Sequence, residues 1–376
     1  MDEKWVKKFE SFWTGPQVVA KDWKARTKKK VIGWAIPDGP EELILASGAL
    51  PMAMLGKEIP FSKADAHFQG FACSYTRGLL ELLTRDELNY FDAVILPHTC
   101  DALRAFDLVA KDLDKIKITE TYRPPRIRDN QAAEKYLKEE IERIRKRLGE
   151  ITGHYASDDE IRKASAMVNK VKDLLKEMKK QLKAGRVSAL EYFTAVGAAM
   201  VGEKEEIAKL LEAFLKEVGT LAPSKTGRKK VVLAGKVPEP LAIVSEIENA
   251  GFSIVDDLLV IGSRYVRSTV NLDKDPIQGL ADAQVDKFPV AGMYDRDHTR
   301  GERIIKKVKA NAADAVVFLV QKFCEPYEMD VVGIEEDCKK AGIPFIKLES
   351  DYQTASLAPL RTRIQAFAEM LTAPKA

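Results

Sequence analysis

An α/β architecture, with two parallel-sheet units around a helical middle, is predicted for these 376 residues by three observations. Short apolar runs without alternation, such as AVILP at 93–97, have the character of strands buried on both faces. Each is followed by a stretch of helical periodicity, and strands alternating with helices build a parallel sheet covered on both sides. The pattern occurs once before residue 130 and again after residue 222, with a charged, helix-rich stretch between them.

In the first unit a lysine-rich run, KARTKKK, leads into VIGWAI, a strand ending at Pro37. In PDGPEELILASGAL, Pro40 with Glu41 and Glu42 suits the first turn of a helix, where free amides favour negative charge. PMAMLG is a second apolar run, CSYTRGLLELLTR a helix, and AVILP a strand with Cys100 just past its end. DALRAFDLVAKDL has helical periodicity and KIKITETY alternates as a strand does.

Residues 130–219 hold QAAEKYLKEEIERIRKRLGEI, DEIRKASAMVNKVKDLLKEMKKQLKAG and GEKEEIAKLLEAFLKEVG, which are long and rich in helix formers. They predict an inserted or bridging helical segment whose charge runs are the solvated faces of amphipathic helices. PSKTGRKK, at 223–230, reads as a linker. KVVLAG then starts the second unit as a strand, followed by EPLAIVSEIENAG as a helix closed by Gly251 and FSIVDDLLVIG as an apolar run. DAVVFLVQKF is a strand ending just before Cys324, MDVVGIEEDCKKAG a helix closed by Gly342, PFIKLES a strand and LAPLRTRIQAFAEML the last helix. The division predicted is an N-terminal α/β domain at 1–128, a helical segment at 129–222 and a C-terminal α/β domain at 223–376. Both sheet domains read as flavodoxin-like.

Composition excludes several function classes. The 60 Lys plus Arg offset 57 Asp plus Glu, so a formal charge of +3 supplies no global field for nucleic acid. MDEKWVKKFESFW has no long apolar core of a secretion signal, and no stretch reaches the roughly 18 apolar residues of a membrane span. The expectation is a cytoplasmic protein with neither nucleic-acid nor membrane partners.

Four cysteines in such a chain do not make a disulfide framework, because a reducing compartment keeps thiols free. Cys100 and Cys324 fall at the carboxyl ends of strands, one in each half, where an open parallel sheet binds ligands. Both precede or open a helix, whose dipole and free amides stabilise a thiolate, and Cys73 too stands beside polar residues at an element terminus. Cys338, inside the amphipathic IEEDCKKAG, reads as a small buried hydrophobe. Structural zinc is one alternative for the trio, with His67, His98, His154 or His298 as a fourth ligand. No close C-x-x-C pair supports it, and His98 reads as a hydrogen-bonding neighbour. Spacing alone leaves the metal open.

The segments EELILASGALP, FACSYTRG, LPHTCDALRA, DDLLVIGSRY and QKFCEPYEMD, in this order over nearly the whole chain, resemble the benzoyl-CoA reductase and 2-hydroxyacyl-CoA dehydratase family. The resemblance implies a [4Fe–4S] cluster held by Cys73, Cys100 and Cys324, with the fourth iron left open to a non-protein ligand. It further implies a related iron–sulfur subunit as partner, a separate ATP-hydrolysing iron–sulfur activator, and an acyl-CoA thioester reduced by one electron at low potential. Absence of a G-x-x-x-x-G-K-[ST] motif agrees with ATP acting on a partner. Of the two reactions, benzoyl-CoA ring reduction is the expectation, with 2-hydroxyacyl-CoA dehydration the alternative; a non-catalytic electron-relay subunit is a further one.

Around the trio, adjacency suggests Ser74 and Thr99 as donors to sulfur, Arg77 or Arg104 as balancing charge, with a surface salt bridge equally open to Arg77, and Glu325 or Tyr327 as proton donor or hydrogen-bond partner, with a helix-start carboxylate satisfying amides as the alternative. GSRY, at 262–265, also follows an apolar run at a strand end, as a turn with a packed tyrosine or an acyl-CoA or subunit contact. KARTKKK, RPPRIR and GRKK read as solvated surface that can also meet the phosphates of coenzyme A.

Overall fold

The computed structural model describes residues 3–36, 38–128, 130–222, 227–237, 239–287, 291–351 and 357–372. Its elements run α1 (Glu3–Thr14), α2 (Pro16–Thr27), β1 (Val31–Ala35), α3 (Glu41–Ala46), β2 (Leu50–Met54), α4 (Ser74–Thr84), β3 (Ala93–Pro97), α5 (Asp101–Leu113) and β4 (Thr119–Tyr122). Four helices follow: α6 (Gln131–Thr152), α7 (Asp158–Lys183), α8 (Ala189–Val201) and α9 (Lys204–Val218). The last part is β5 (Lys229–Gly235), α10 (Ala242–Asn249), β6 (Phe252–Leu258), one-turn α11 (Tyr265–Arg267), α12 (Pro276–Asp286), α13 (Thr299–Ala310), β7 (Ala315–Gln321), α14 (Glu325–Lys340), β8 (Phe345–Ser350) and α15 (Ala358–Thr372).

The predicted α/β class holds, with two four-stranded sheets, ordered β2-β1-β3-β4 and β6-β5-β7-β8, parallel throughout. Both orders turn back on themselves beside their first strand, β1 or β5. There the crossovers leave in opposite directions and open a crevice beyond the strand ends. The strands that flank the crevices, β1, β3, β5 and β7, are almost wholly buried, as their unalternating apolar runs require.

The middle helices do more than the solvated faces expected of them. Lys172 on α7 is buried and donates to Glu42 Oε1 at 3.1 Å and to the Ser268 carbonyl at 2.8 Å. Lys179, two helical turns on, reaches Asp256 at 2.5 Å and Asp257 at 2.8 Å at the end of β6. A charge-rich helix therefore turns part of its charge inward, because acids meet it there and offset the lost hydration. On α8 twelve of thirteen residues are buried, so it carries no polar stripe. The first helix packs on this middle segment: Trp13 Nε1 donates to the Thr194 carbonyl at 2.9 Å, and Trp5 and Phe9 stack edge-on against Phe214. Of the expected linker, residues 223–226 lie outside the described residues and Lys229 already begins β5. Among the described residues no helix is long and apolar enough to cross a membrane.

Candidate functional site

Each of the three cysteines stands at the N-cap of a helix: Cys73 before α4, Cys100 before α5 and Cys324 before α14. Amides of the first helical turn approach two of the sulfurs, that of Thr76 at Cys73 and those of Ala102 and Leu103 at Cys100. Cys100 lies just beyond β3 and Cys324 just beyond β7. Cys73 comes from the long connection after β2, and its helix is anchored by Tyr75, whose hydroxyl donates to the Met54 carbonyl at 2.8 Å and accepts from the Ile36 amide at 3.1 Å.

The structure brings these three together and leaves Cys338 out. One cavity of about 370 Å³ is lined by Cys73, Cys100 and Cys324. It lies where the two crevices face each other, so residues just past the strand ends line it: Ile36 after β1, Thr99 after β3, Lys236 after β5, Val260 after β6 and Phe323 after β7. The rest of the wall is mainly apolar, with Phe68, Phe71, Tyr75, Leu103 and Pro326. Cys338 sits fully buried in α14, where burial pushes its thiol up to about 11.

Electrostatics distinguishes the three sulfurs. The hydrogen bond between the Cys324 and Cys73 side chains holds Cys73 well below the ordinary thiol range against the cost of burial, with Lys236 and Thr76 assisting. The same bond, made by Cys324 as donor, pushes Cys324 well above it. Burial raises Cys100, and the charge of Cys73 adds to that, while the amides of Leu103 and Ala102 work the other way. Of the three sulfurs, Cys73 is the one whose surroundings favour the thiolate, through the Cys324 hydrogen bond and the nearby Lys236.

Lys236 is the cation of the site. Its Nζ lies 3.7 Å from Cys73 Sγ, donates to Gln321 Oε1 at 2.7 Å and sits 4.7 Å from the ring centre of Tyr75. Burial disfavours its charge, yet the three sulfurs outweigh that and raise its pKa. Gln321 in turn donates through Nε2 to Glu239 Oε2 at 3.0 Å. Glu239 is buried, which pushes its carboxyl up to about 8. Gly235 has φ +114, and a Cβ there would stand 1.9 Å from the Leu319 carbonyl oxygen; only glycine lets β5 deliver Lys236 at this spot.

The neighbours suggested by adjacency fare unequally. Thr99, Glu325 and Tyr327 line the cavity, and Tyr327 receives a hydrogen bond from Arg264, the arginine of GSRY, which lines it too. Ser74 is buried beside Cys73 but is not part of the lining. Arg77 points away: it bonds Asp65 Oδ1 at 2.6 Å and stacks on Phe61. Arg104 pairs with Asp101 at 3.5 Å on the exposed face of α5. Neither arginine balances the sulfurs; Lys236 does. Its sequence signal was its place directly after β5, equivalent to Ile36 after β1. His98 is engaged with Asp107, 2.7 Å from Nε2, as a hydrogen-bonding neighbour.

Tested against a metal, the donors the cavity offers are three thiols, the ligand type that iron–sulfur clusters take. Among the described residues no three His, Cys, Asp or Glu side chains converge to hold one ion. Iron–sulfur clusters are held by thiolates, and three thiols line this one cavity, with Cys73 and Cys324 at hydrogen-bond contact.

A family model described as 2-hydroxyglutaryl-CoA dehydratase, D-component, matches residues 38–371. The (R)-phenyllactyl-CoA dehydratase beta subunit of Clostridium sporogenes is 26% identical over 98% of this chain and 99% of its own length. One of the benzoyl-CoA reductase subunits of Thauera aromatica is 25% identical over 94% of each chain, and the lactoyl-CoA dehydratase beta subunit of Anaerotignum propionicum 27% identical over 95% and 96%.

Proposed function

This chain belongs to the 2-hydroxyglutaryl-CoA dehydratase D-component family, and we propose that it is an iron–sulfur subunit in an ATP-activated enzyme acting on an acyl-CoA thioester. Cys73, Cys100 and Cys324 would hold a [4Fe–4S] cluster, leaving one iron without a protein thiolate. The observation that carries this reading is the lining of one cavity by three helix-capping cysteines from both halves of the chain. When bound, such a group supplies single electrons at low potential.

What the chain's own residues contribute follows from their placement. The largely apolar wall lowers the polarity around the sulfurs, which strengthens charge interactions at them. The first turns of α4 and α5 present amides to Cys73 and Cys100, while the Thr76 hydroxyl bonds Cys73 at 3.5 Å. Tyr327, held by Arg264, and Glu325 stand at the same wall as candidate proton donors toward a ligand in the cavity. ATP hydrolysis is assigned to a separate activator, as the family resemblance implies. The relatives are each named as one subunit of an enzyme, which favours a partner subunit here.

Two reactions share this start. Benzoyl-CoA ring reduction, the expectation from sequence, is favoured by the reductase subunit among the relatives; 2-hydroxyacyl-CoA dehydration is favoured by the dehydratase subunits. The experiment is anaerobic purification with iron and sulfide analysis, followed by assay of the complex and its activator on benzoyl-CoA and on several 2-hydroxyacyl-CoA esters. Zinc without sulfide refutes the cluster; turnover of hydroxyacyl esters alone refutes ring reduction.

A further inference from the structure

A buried ammonium needs an anion, and among the described residues no carboxylate bonds Lys236 directly. It is buried, and it contacts the neutral Gln321 amide, the Tyr75 ring and the Cys73 sulfur. Glu239 approaches it only through Gln321, and burial raises the pKa of its carboxyl. The sulfur in contact with Lys236, that of Cys73, lies in the cavity both line, so an anion held there on sulfur compensates the ammonium for its lost hydration.

Resting on the cluster reading above, we propose that Lys236 is a positioning residue for the thiol cavity: a fixed counter-charge that favours an anionic sulfur-bound group there and raises its reduction potential. Each electron added to a thiolate-bound cluster makes it more negative. A positive charge held at contact distance in a low-dielectric wall therefore stabilises the reduced state more than the oxidised one. Gln321 and the Tyr75 ring hold the ammonium in place, and Gly235 sets the backbone that presents it.

The test uses the full chain purified anaerobically, as unsubstituted protein and as Lys236→Met, Lys236→Arg and, at a distance, Lys115→Met. Iron and sulfide are counted and the midpoint potential is measured by redox titration followed by electron paramagnetic resonance. Lys236→Met is expected to shift the oxidised-to-reduced ratio at a fixed potential at least tenfold toward oxidised, about 59 mV for one electron. Lys236→Arg and Lys115→Met should stay with the unsubstituted chain. If Lys236→Met does not retain a cluster, Lys236→Gln, which can still bond Gln321, is read in the same way. An intact cluster with unchanged potential in a neutral Lys236 variant overturns the counter-charge while leaving the cluster reading standing. No iron and sulfide in the unsubstituted chain overturns the cluster reading, and this inference with it.

Discussion

Glu239→Gln offers a measurement of how strongly the site's surroundings are buried. The Glu239 carboxyl is 4% exposed, and burial pushes it from an ordinary 4.5 up to about 8, with Lys236 and the Gln321 hydrogen bond opposing. An acid that binds its proton more tightly folded than unfolded stabilises the fold fully below about pH 4.5, and loses that contribution as pH rises toward 8. At about 1.4 kcal/mol per tenfold change in proton activity, the interval from 4.5 to 8 amounts to about 5 kcal/mol. Glutamine keeps the shape and cannot ionise, so the variant escapes the loss. Urea unfolding of both proteins at pH 5, 6, 7, 8 and 9 should show Glu239→Gln gaining on the unsubstituted chain by about 1 kcal/mol per pH unit, levelling above pH 8. Comparing the two removes titrations common to both. Parallel stability across the whole range would refute the buried, proton-holding state of Glu239.

Three other outcomes follow from the geometry. Replacing Cys73, Cys100 or Cys324 singly by serine should lower bound iron and sulfide sharply, whereas Cys338→Ala should leave them unchanged and cost about 1 kcal/mol in urea unfolding for the lost volume. Gly235→Ala should destabilise by about 2 kcal/mol or more, since its φ of +114 and its contact with the Leu319 carbonyl both oppose a side chain, and metal analysis should show the cluster weakened with it. Asp256→Asn leaves Lys179 and Lys307 without their shared carboxylate and should cost roughly 3 kcal/mol, read from the shift of the urea midpoint.

The α/β alternation and the sites of the three cysteines were legible because both are local. A strand buried on both faces must be an unbroken apolar run, as AVILP and AVVFLVQ are. A thiol directly after such a run, ahead of a helical pattern, has to sit at a helix start, and Cys100 and Cys324 do. Helix α8 carried no stripe to read, since nearly all its residues are buried. Arg77 and Arg104 were suggested by nearness along the chain, yet each lies four residues past its cysteine on the same helix and meets an acid instead, Asp65 or Asp101.

What the sequence determined by itself is therefore the strand–helix alternation of the two sheet units, without α1, α2, α8, α12 and α13, and the three sulfurs at its element ends, since apolar period and helix-start chemistry act over a few residues. Only the tertiary structure decided that Lys236, Gln321 and Glu239 stand behind Cys73. The bonds joining Lys236 to Gln321 and Gln321 to Glu239 span 85 and 82 residues of chain. They exist because β5 and β7 lie side by side in one sheet and because the two crevices face one another, and strand order is a long-range choice that no local pattern writes down.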